Sequence, residues 1–294
     1  MKDIIFKGCG TAIATPFNEN GIDFDEFNRL LEFQISNCVN SIIVCGTTGE
    51  SSTMTLQEKK ELISFTVKKV NGRIPVIAGT GGNNTKDVIN LSKYAEEVGV
   101  DGLLIVTPYY NKTTQDGLIK HYYEISKNVS IPIVLYNVPN RTGLNIEPNT
   151  CLELSKIGNI VAIKEASGNI SQVAKISALC RDNLYIYSGN DDQILPILSL
   201  GGLGVISVLS NIAPKLTSSI CKKYFDGNLG KALDIQLSSL PLIDALFSNV
   251  NPIPVKSALN LLGFNFGIPR LPLVKLGIDN ENKLKKYMKD LNII

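Results

Sequence analysis

At 294 residues, 44% hydrophobic and 19% charged, the chain carries enough apolar material for one large domain with an appendage or for two modest ones. A formal net charge of +2 without any Lys/Arg block argues against a nucleic-acid or anionic-membrane partner, and no stretch approaches transmembrane length. The opening MKDIIFKGCGTAIATPF lacks the long apolar region of a secretory signal, and the cysteines at 9, 38, 45, 151, 180 and 221 form no CxxC pair. Both features point to a cytoplasmic protein with reduced, mostly buried thiols.

One unit repeats along the chain. Short β-branched runs occur at 8–17, 41–46, 74–81, 102–108, 131–139, 160–167, 184–190 and 203–210. Between them lie segments of helical periodicity such as DFDEFNRLLEFQISNCV, TLQEKKELISFTVKKV and TKDVINLSKYAEEVG, with Asp23, Thr55 and Thr85 as expected N-caps. Each unit is about 25 to 30 residues, enough for a strand, a turn and a crossover helix. Eight such units ending near residue 226 fit an α/β (β/α)8 TIM barrel better than an open doubly wound sheet. After Gly227 the strand signal stops. The remainder reads as helices broken by Pro and Gly, giving a catalytic barrel over 1–227 and a small C-terminal helical domain over 228–294.

The sixth run, IVAIKEAS, holds a lysine among apolar residues. Strand alternation puts Ile160, Ala162, Lys164 and Ala166 on one face and Val161, Ile163 and Glu165 on the other. If the small residues face the barrel interior, Lys164 does too, and the loss of hydration there favours a neutral, nucleophilic amine. The competing reading turns Lys164 toward the helices, or lets it snorkel from a strand end with Glu165 as its partner.

Function in such barrels gathers at the C-terminal ends of the strands. Here those ends read CGTTGES (45–51), TPYYN (107–111), YNVPNRTG (136–143), KEASGN (164–169) and SGND (188–191). The GTTGE turn offers backbone N–H groups and threonine hydroxyls to a small carboxylate, although an ordinary strand-to-helix turn has the same composition. Tyr136, ending the fifth strand, can relay a proton to an adduct on Lys164 or simply pack in the core. Arg141 follows a proline turn and can clamp a carboxylate bidentately or form a surface ion pair.

The single histidine, His121, falls in a helical stretch, so a histidine metal site or a Ser-His-Asp relay lacks its central part, and His121 reads as structural. GTGGNN (79–84) and LGGLGV (200–205) match neither GxxxxGK[ST] nor GxGxxG. What remains is an amine, a phenol, hydroxyls and carboxylate-binding groups, with no metal or organic cofactor called for. That is the equipment of a Schiff-base aldolase.

GTTGES, GTG at 79–81, TPYYN, YNVPNRTG, IKEASGN, SGND and GVISV follow one another in the order and spacing of the dihydrodipicolinate synthase and N-acetylneuraminate lyase family, which the whole chain resembles. The arginine of YNVPNRTG resembles the synthase branch, which makes 4-hydroxy-tetrahydrodipicolinate on the route to diaminopimelate and lysine. The resemblance implies that Lys164 forms an imine with pyruvate and that Thr47 and Thr48 hold the pyruvate carboxylate. It implies a proton relay of Tyr136, Thr48 and Tyr110, the last reaching in from a neighbouring subunit of a homotetramer built from tight dimers. Arg141 is expected to bind the carboxylate of aspartate semialdehyde, and Gly189 and Ile206 to line the pyruvate pocket with their backbones. Lysine-inhibited relatives bind lysine near the positions of Ser51, Asn83, Asp87 and Tyr109. Leu56 and Lys59 replace polar or histidine partners there, which implies weak or absent feedback inhibition. Two alternatives use the same residues: a related pyruvate aldolase or lyase taking another aldehyde, and a non-catalytic sensor of oxo acids.

Overall fold

Each of the eight apolar runs becomes a strand in the computed structural model, which describes residues 2–294. They are β1 (Gly8–Ala12), β2 (Ser41–Val44), β3 (Val76–Gly79), β4 (Gly102–Val106), β5 (Ile133–Asn137), β6 (Ile160–Glu165), β7 (Tyr185–Ser188) and β8 (Gly204–Ser207). Chain neighbours are barrel neighbours, and β1 pairs in parallel with β8 through Gly8↔Gly204 and Thr11↔Ser207, so no edge is left open. A Cβ on Gly204 would stand 1.8 Å from the Gly8 carbonyl oxygen, so the backbones can close the barrel there only without a side chain.

Eight helices follow the eight strands in turn. They are α1 (Phe24–Ser36), α2 (Leu56–Val70), α3 (Thr85–Glu97), α4 (Gln115–Ser126), α5 (Pro148–Ser155), α6 (Ile170–Cys180), α7 (Ile194–Ser199) and α8 (Pro214–Phe225). Buried positions recur at helical spacing, as in Phe27, Leu30, Leu31 and Gln34 of α1, and this stripe packs on the strands. Asp23 caps α1 by accepting from the Glu26 N–H, and Thr55 forms a capping box with Glu58 at the start of α2. Thr85 is not a cap. Asn84 takes that place by accepting from the Lys86 N–H, and the Thr85 hydroxyl lies 2.9 Å from His121 Nδ1 instead.

Apolar packing occurs on both sides of the sheet. One layer fills the space between strands and helices. The other fills the barrel interior with Ile43, Ile77, Leu104, Val134, Tyr187 and Ile206 among others. Phe6, just ahead of β1, stacks on Tyr187 with centroids 4.3 Å apart, and Tyr187 Oη donates to the Phe6 carbonyl at 2.6 Å. Packed rings therefore plug the barrel, and any chemistry is left to the opposite end.

Strand β6 departs from simple alternation at its start. Ile133 pairs with Ile160 but Val134 pairs with Ala162, so Val161 is an extra residue opposite β5. This bulge sends Ile160 into the outer layer and Val161 into the inner one, correcting the expected faces at these two positions. From Ala162 onward the expected order holds.

Three helices complete the chain, α9 (Leu229–Leu246), α10 (Ile253–Leu261) and α11 (Ile278–Asp290). Pro241 sits inside α9 rather than ending it. The helical bond it forgoes would have served the carbonyl of Leu237, an exposed residue, where water can replace the missing donor.

Candidate active site

Lys164 projects inward near the C-terminal end of β6 and is only 5% exposed. Its register partner on β5 is Tyr136, itself 6% exposed, and Lys164 Nζ stands 4.5 Å from the centre of the phenol ring. Glu165 points the other way. Its carboxylate accepts from Asn137 Nδ2 at 2.9 Å, Gln172 Nε2 at 3.3 Å and the Ser167 N–H at 2.7 Å, all on the helix side of the sheet. Lys164 forms no ion pair among the described residues. The snorkelling alternative with Glu165 as partner is therefore not what the chain adopts.

The turn after β2 carries Thr47, half-buried, and Thr48, 2% exposed. Two bonds shape it, from the Gly49 N–H to the Gly46 carbonyl and from the Glu50 N–H to the Thr47 carbonyl, each 3.1 Å. Thr48 Oγ1 accepts from Asn251 Nδ2 at 3.0 Å. Its own proton therefore remains available to a ligand or to another acceptor. Tyr136 and Thr48 are both buried at this mouth, yet no hydrogen bond joins them among the described residues.

Arg141 lies in a short helical turn, Pro139–Thr142, on the exposed rim. Its Nη2 reaches the Asn251 carbonyl at 3.4 Å, and it pairs with no carboxylate among the described residues, so its fork stays open to a ligand. Gly189 follows β7 and donates its N–H to the Glu165 carbonyl at 2.8 Å. A Cβ there would fall 2.6 Å from that of Ala166. Ile206 is fully buried inside the barrel on β8.

Tyr110 stands apart from this group. Within one chain it is 92% exposed, with a left-handed φ of +70° at the loop after β4, so it does not pack against Tyr136 or Thr48. Its neighbour Tyr109 is partly exposed and faces a cleft of about 350 Å³ that also includes Leu56, Lys59, Asn83 and Asp87.

Three elements of the site escape sequence reasoning. Glu50, inside the GTTGES motif, is buried and bonded to Lys256 Nζ at 2.7 Å and to the Arg270 N–H at 2.9 Å. Burial pulls the Lys256 ammonium below its ordinary pKa, with Glu50 opposing that shift. Asn251 joins Thr48 to Arg141. Asp191, the last residue of SGND, is buried behind β7 and β8. The two acids lay within quoted motifs; Asn251 is separated from Thr48 by 203 positions, and nothing local marks it.

Arg270 tightens the same region by pairing bidentately with Glu58, whose pKa it holds down at about 2. His121 is buried, and desolvation lowers its pKa to about 4, as suits a histidine packed neutral on a helix.

A closed (β/α)8 barrel with an inward lysine, an adjacent phenol and a hydroxyl-rich turn at its C-terminal end defines a class of barrel enzymes that work through amine nucleophiles. Comparison narrows the class. The model of the dihydrodipicolinate synthetase family matches residues 5–291, and the chain belongs to that family. It is 58% identical over 290 residues to the 4-hydroxy-tetrahydrodipicolinate synthase 1 of Clostridium acetobutylicum, covering 99% of both chains. Among solved structures, dihydrodipicolinate synthase from Thermotoga maritima superposes with a TM-score of 0.97 at 45% identity, covering 99% of this chain and 100% of the other. A monomeric dihydrodipicolinate synthase variant matches at the same TM-score of 0.97 and 45% identity, over 99% of this chain and 98% of that one.

Proposed function

We propose that the protein is a 4-hydroxy-tetrahydrodipicolinate synthase that condenses pyruvate with L-aspartate 4-semialdehyde through a Schiff base on Lys164. The observation that carries this reading is a buried lysine with no acidic partner among the described residues, set beside Tyr136 at the barrel mouth. Family membership and the 58% identical clostridial relative support the choice of substrates.

In this reading Lys164 Nζ attacks the keto carbon of pyruvate and water leaves, giving an iminium. Thr47 and Thr48 hold the pyruvate carboxylate while the backbones at Gly189 and Ile206 line the pocket. The iminium withdraws electrons from the methyl group, a proton departs, and the resulting enamine carbon attacks the aldehyde. Arg141 orients the semialdehyde through its carboxylate. Tyr136, Thr48 and Tyr110 move the protons, after which the substrate amine attacks the imine carbon, closes the ring and releases Lys164. No metal or organic cofactor enters these steps.

The barrel over 1–227 supplies this chemistry and the segment 228–294 braces its mouth through Asn251, Lys256 and Arg270. Tyr110 comes from a second copy, in a homotetramer of tight dimers working in the cytoplasm. The test is borohydride reduction with pyruvate, followed by mapping of the added mass and by condensation with aspartate semialdehyde. Irreversible mass on Lys164, lost together with turnover in Lys164→Ala, is the expected result. Trapping on another lysine refutes the mechanism, and trapping without semialdehyde turnover favours a different aldehyde.

A further inference from the structure

Between α9 and α10 the chain turns beside the loop that follows β2, and the Ile253 N–H closes this turn by donating to the Val250 carbonyl at 2.8 Å. Asn251 stands inside the turn and is 5% exposed. It meets the site in two directions. Its Nδ2 donates to Thr48 Oγ1 at 3.0 Å, and its carbonyl accepts from Arg141 Nη2 at 3.4 Å. The remaining polar atom of the side chain, Oδ1, is buried with no hydrogen-bond partner among the described residues. Packing alone gains nothing from a half-paired amide, because the orphan acceptor costs stability that an apolar side chain would spare. Nor is the bond to Thr48 needed to dock the turn. Lys256 on α10 already ties this segment to the same loop through Glu50 at 2.7 Å.

What the amide adds is polarity. A threonine hydroxyl has one proton and two acceptor lone pairs, and it rotates to suit its neighbours. An N–H donor held against Thr48 Oγ1 fills a lone pair and turns the hydroxyl proton away from Asn251. No acceptor within the chain takes that proton among the described residues, and at 2% exposure Thr48 has little access to water. The hydroxyl is thus left as a donor in want of an acceptor. An ionised carboxylate, which only accepts, is the complementary partner. Asn251 cannot itself take that role, because its free atom is an acceptor sealed from solvent.

We propose that Asn251 is a positioning residue that fixes Thr48 as a hydrogen-bond donor to the pyruvate carboxylate, acting through the Thr48 hydroxyl without touching substrate. This rests on the reading of Thr48 as a holder of that carboxylate. An acceptor in place of the amide N–H would claim the Thr48 proton and leave the hydroxyl oxygen facing the carboxylate lone pair to lone pair. The bond to Arg141 runs through the Asn251 backbone, so a change of side chain leaves that carbonyl in place.

The experiment is a double-mutant cycle. Titration calorimetry measures pyruvate affinity for Asn251→Asp and Asn251→Ala, each placed in wild type, Thr48→Ser and Thr48→Val, with melting temperature recorded for every protein. Where the hydroxyl is present, in wild type and Thr48→Ser, Asn251→Asp should weaken pyruvate about tenfold, as for a lost hydrogen bond to a charged group. Asn251→Ala should weaken it less, about threefold, since the hydroxyl is then free rather than turned the wrong way. In Thr48→Val there is no hydroxyl to orient, and neither change should alter affinity by more than about twofold. Equal losses with and without the hydroxyl overturn the proposal, because they mark charge repulsion or a structural lesion. An Asn251→Asp protein that binds pyruvate like wild type also overturns it, because the atom against Thr48 would then be an acceptor. If Asn251→Asp does not fold, the Asn251→Ala series decides by the same comparison. Wild-type affinity in Thr48→Val refutes the reading of Thr48 and the inference with it, whereas weakened binding in Thr48→Val with additive Asn251 effects refutes the inference alone.

Discussion

Replacing Lys256 by methionine deletes one half of an ion pair that water does not reach. The two side chains are 1% and 0% exposed, and Nζ lies 2.7 Å from Glu50 Oε1. Removing one partner of such a pair typically costs 3–5 kcal/mol, because the other charge stays buried and unpaired. Lys256→Met belongs at the lower end, about 3 kcal/mol, since Glu50 retains the Arg270 N–H at 2.9 Å. Glu50→Leu belongs at the upper end, about 5 kcal/mol, because it leaves the ammonium only the Phe17 ring, 4.5 Å away. The double variant restores apolar contact and strands chiefly the Arg270 N–H. It should therefore lose only about 1–3 kcal/mol rather than the sum of the two single effects. Urea unfolding at one fixed protein concentration measures all four proteins. Losses below about 1 kcal/mol in both single variants, or an additive double variant, would show that the pair does not hold the GTTGE turn as argued.

Arg141→Ala should leave pyruvate trapping nearly intact while weakening use of aspartate semialdehyde by on the order of 2–4 kcal/mol in transition-state terms; steady-state kinetics with each substrate varied checks this. Lys164→Ala and Tyr110→Phe chains, each nearly inactive, should regain about a quarter of wild-type activity when unfolded and refolded as an equal mixture, provided that Tyr110 serves a partner's site. Recovery no greater than the sum of the parents, with exchange verified by native mass spectrometry, places Tyr110 elsewhere. Free lysine should inhibit weakly or not at all because Leu56 and Lys59 line the cleft beside Tyr109, and half-inhibition at submillimolar lysine contradicts this. His121 has a folded pKa of about 4 against 6.5 unfolded, so the unfolded chain binds the proton first and stability falls as pH drops below 6.5. Its share is on the order of 2 kcal/mol between pH 7 and 5, and that part of the slope should vanish in His121→Gln.

The barrel was legible because a strand buried on both faces must be apolar along its length, and eight such runs alternate with amphipathic segments. Lys164 was legible for the converse reason: a charge in such a run has to be explained. The bulge at Val161 was not, because an extra residue exists only relative to the partner strand that lacks one. Thr85 and Asn84 are both competent caps, and the choice between them depends on His121, which draws the threonine hydroxyl away. The bonds from Asn251 to Thr48 and from Lys256 to Glu50 join positions 203 and 206 residues apart. No local pattern encodes either.

Those long spans also set the order in which the molecule can become competent. A chain that has emerged from the ribosome only as far as residue 240 already contains every barrel strand, with Lys164, Tyr136 and Arg141 in place along it. It still lacks Asn251, Lys256 and Arg270, so Thr48 has no donor and Glu50 would carry a solitary charge into the fold. The turn after β2 is among the first parts synthesised and among the last to be locked. Contacts closed over such distances form slowly, since the intervening chain must be ordered before they are rewarded. Loss or fraying of the segment that carries Asn251, Lys256 and Arg270 therefore acts as a lesion of the second strand's loop, 203 to 220 positions away.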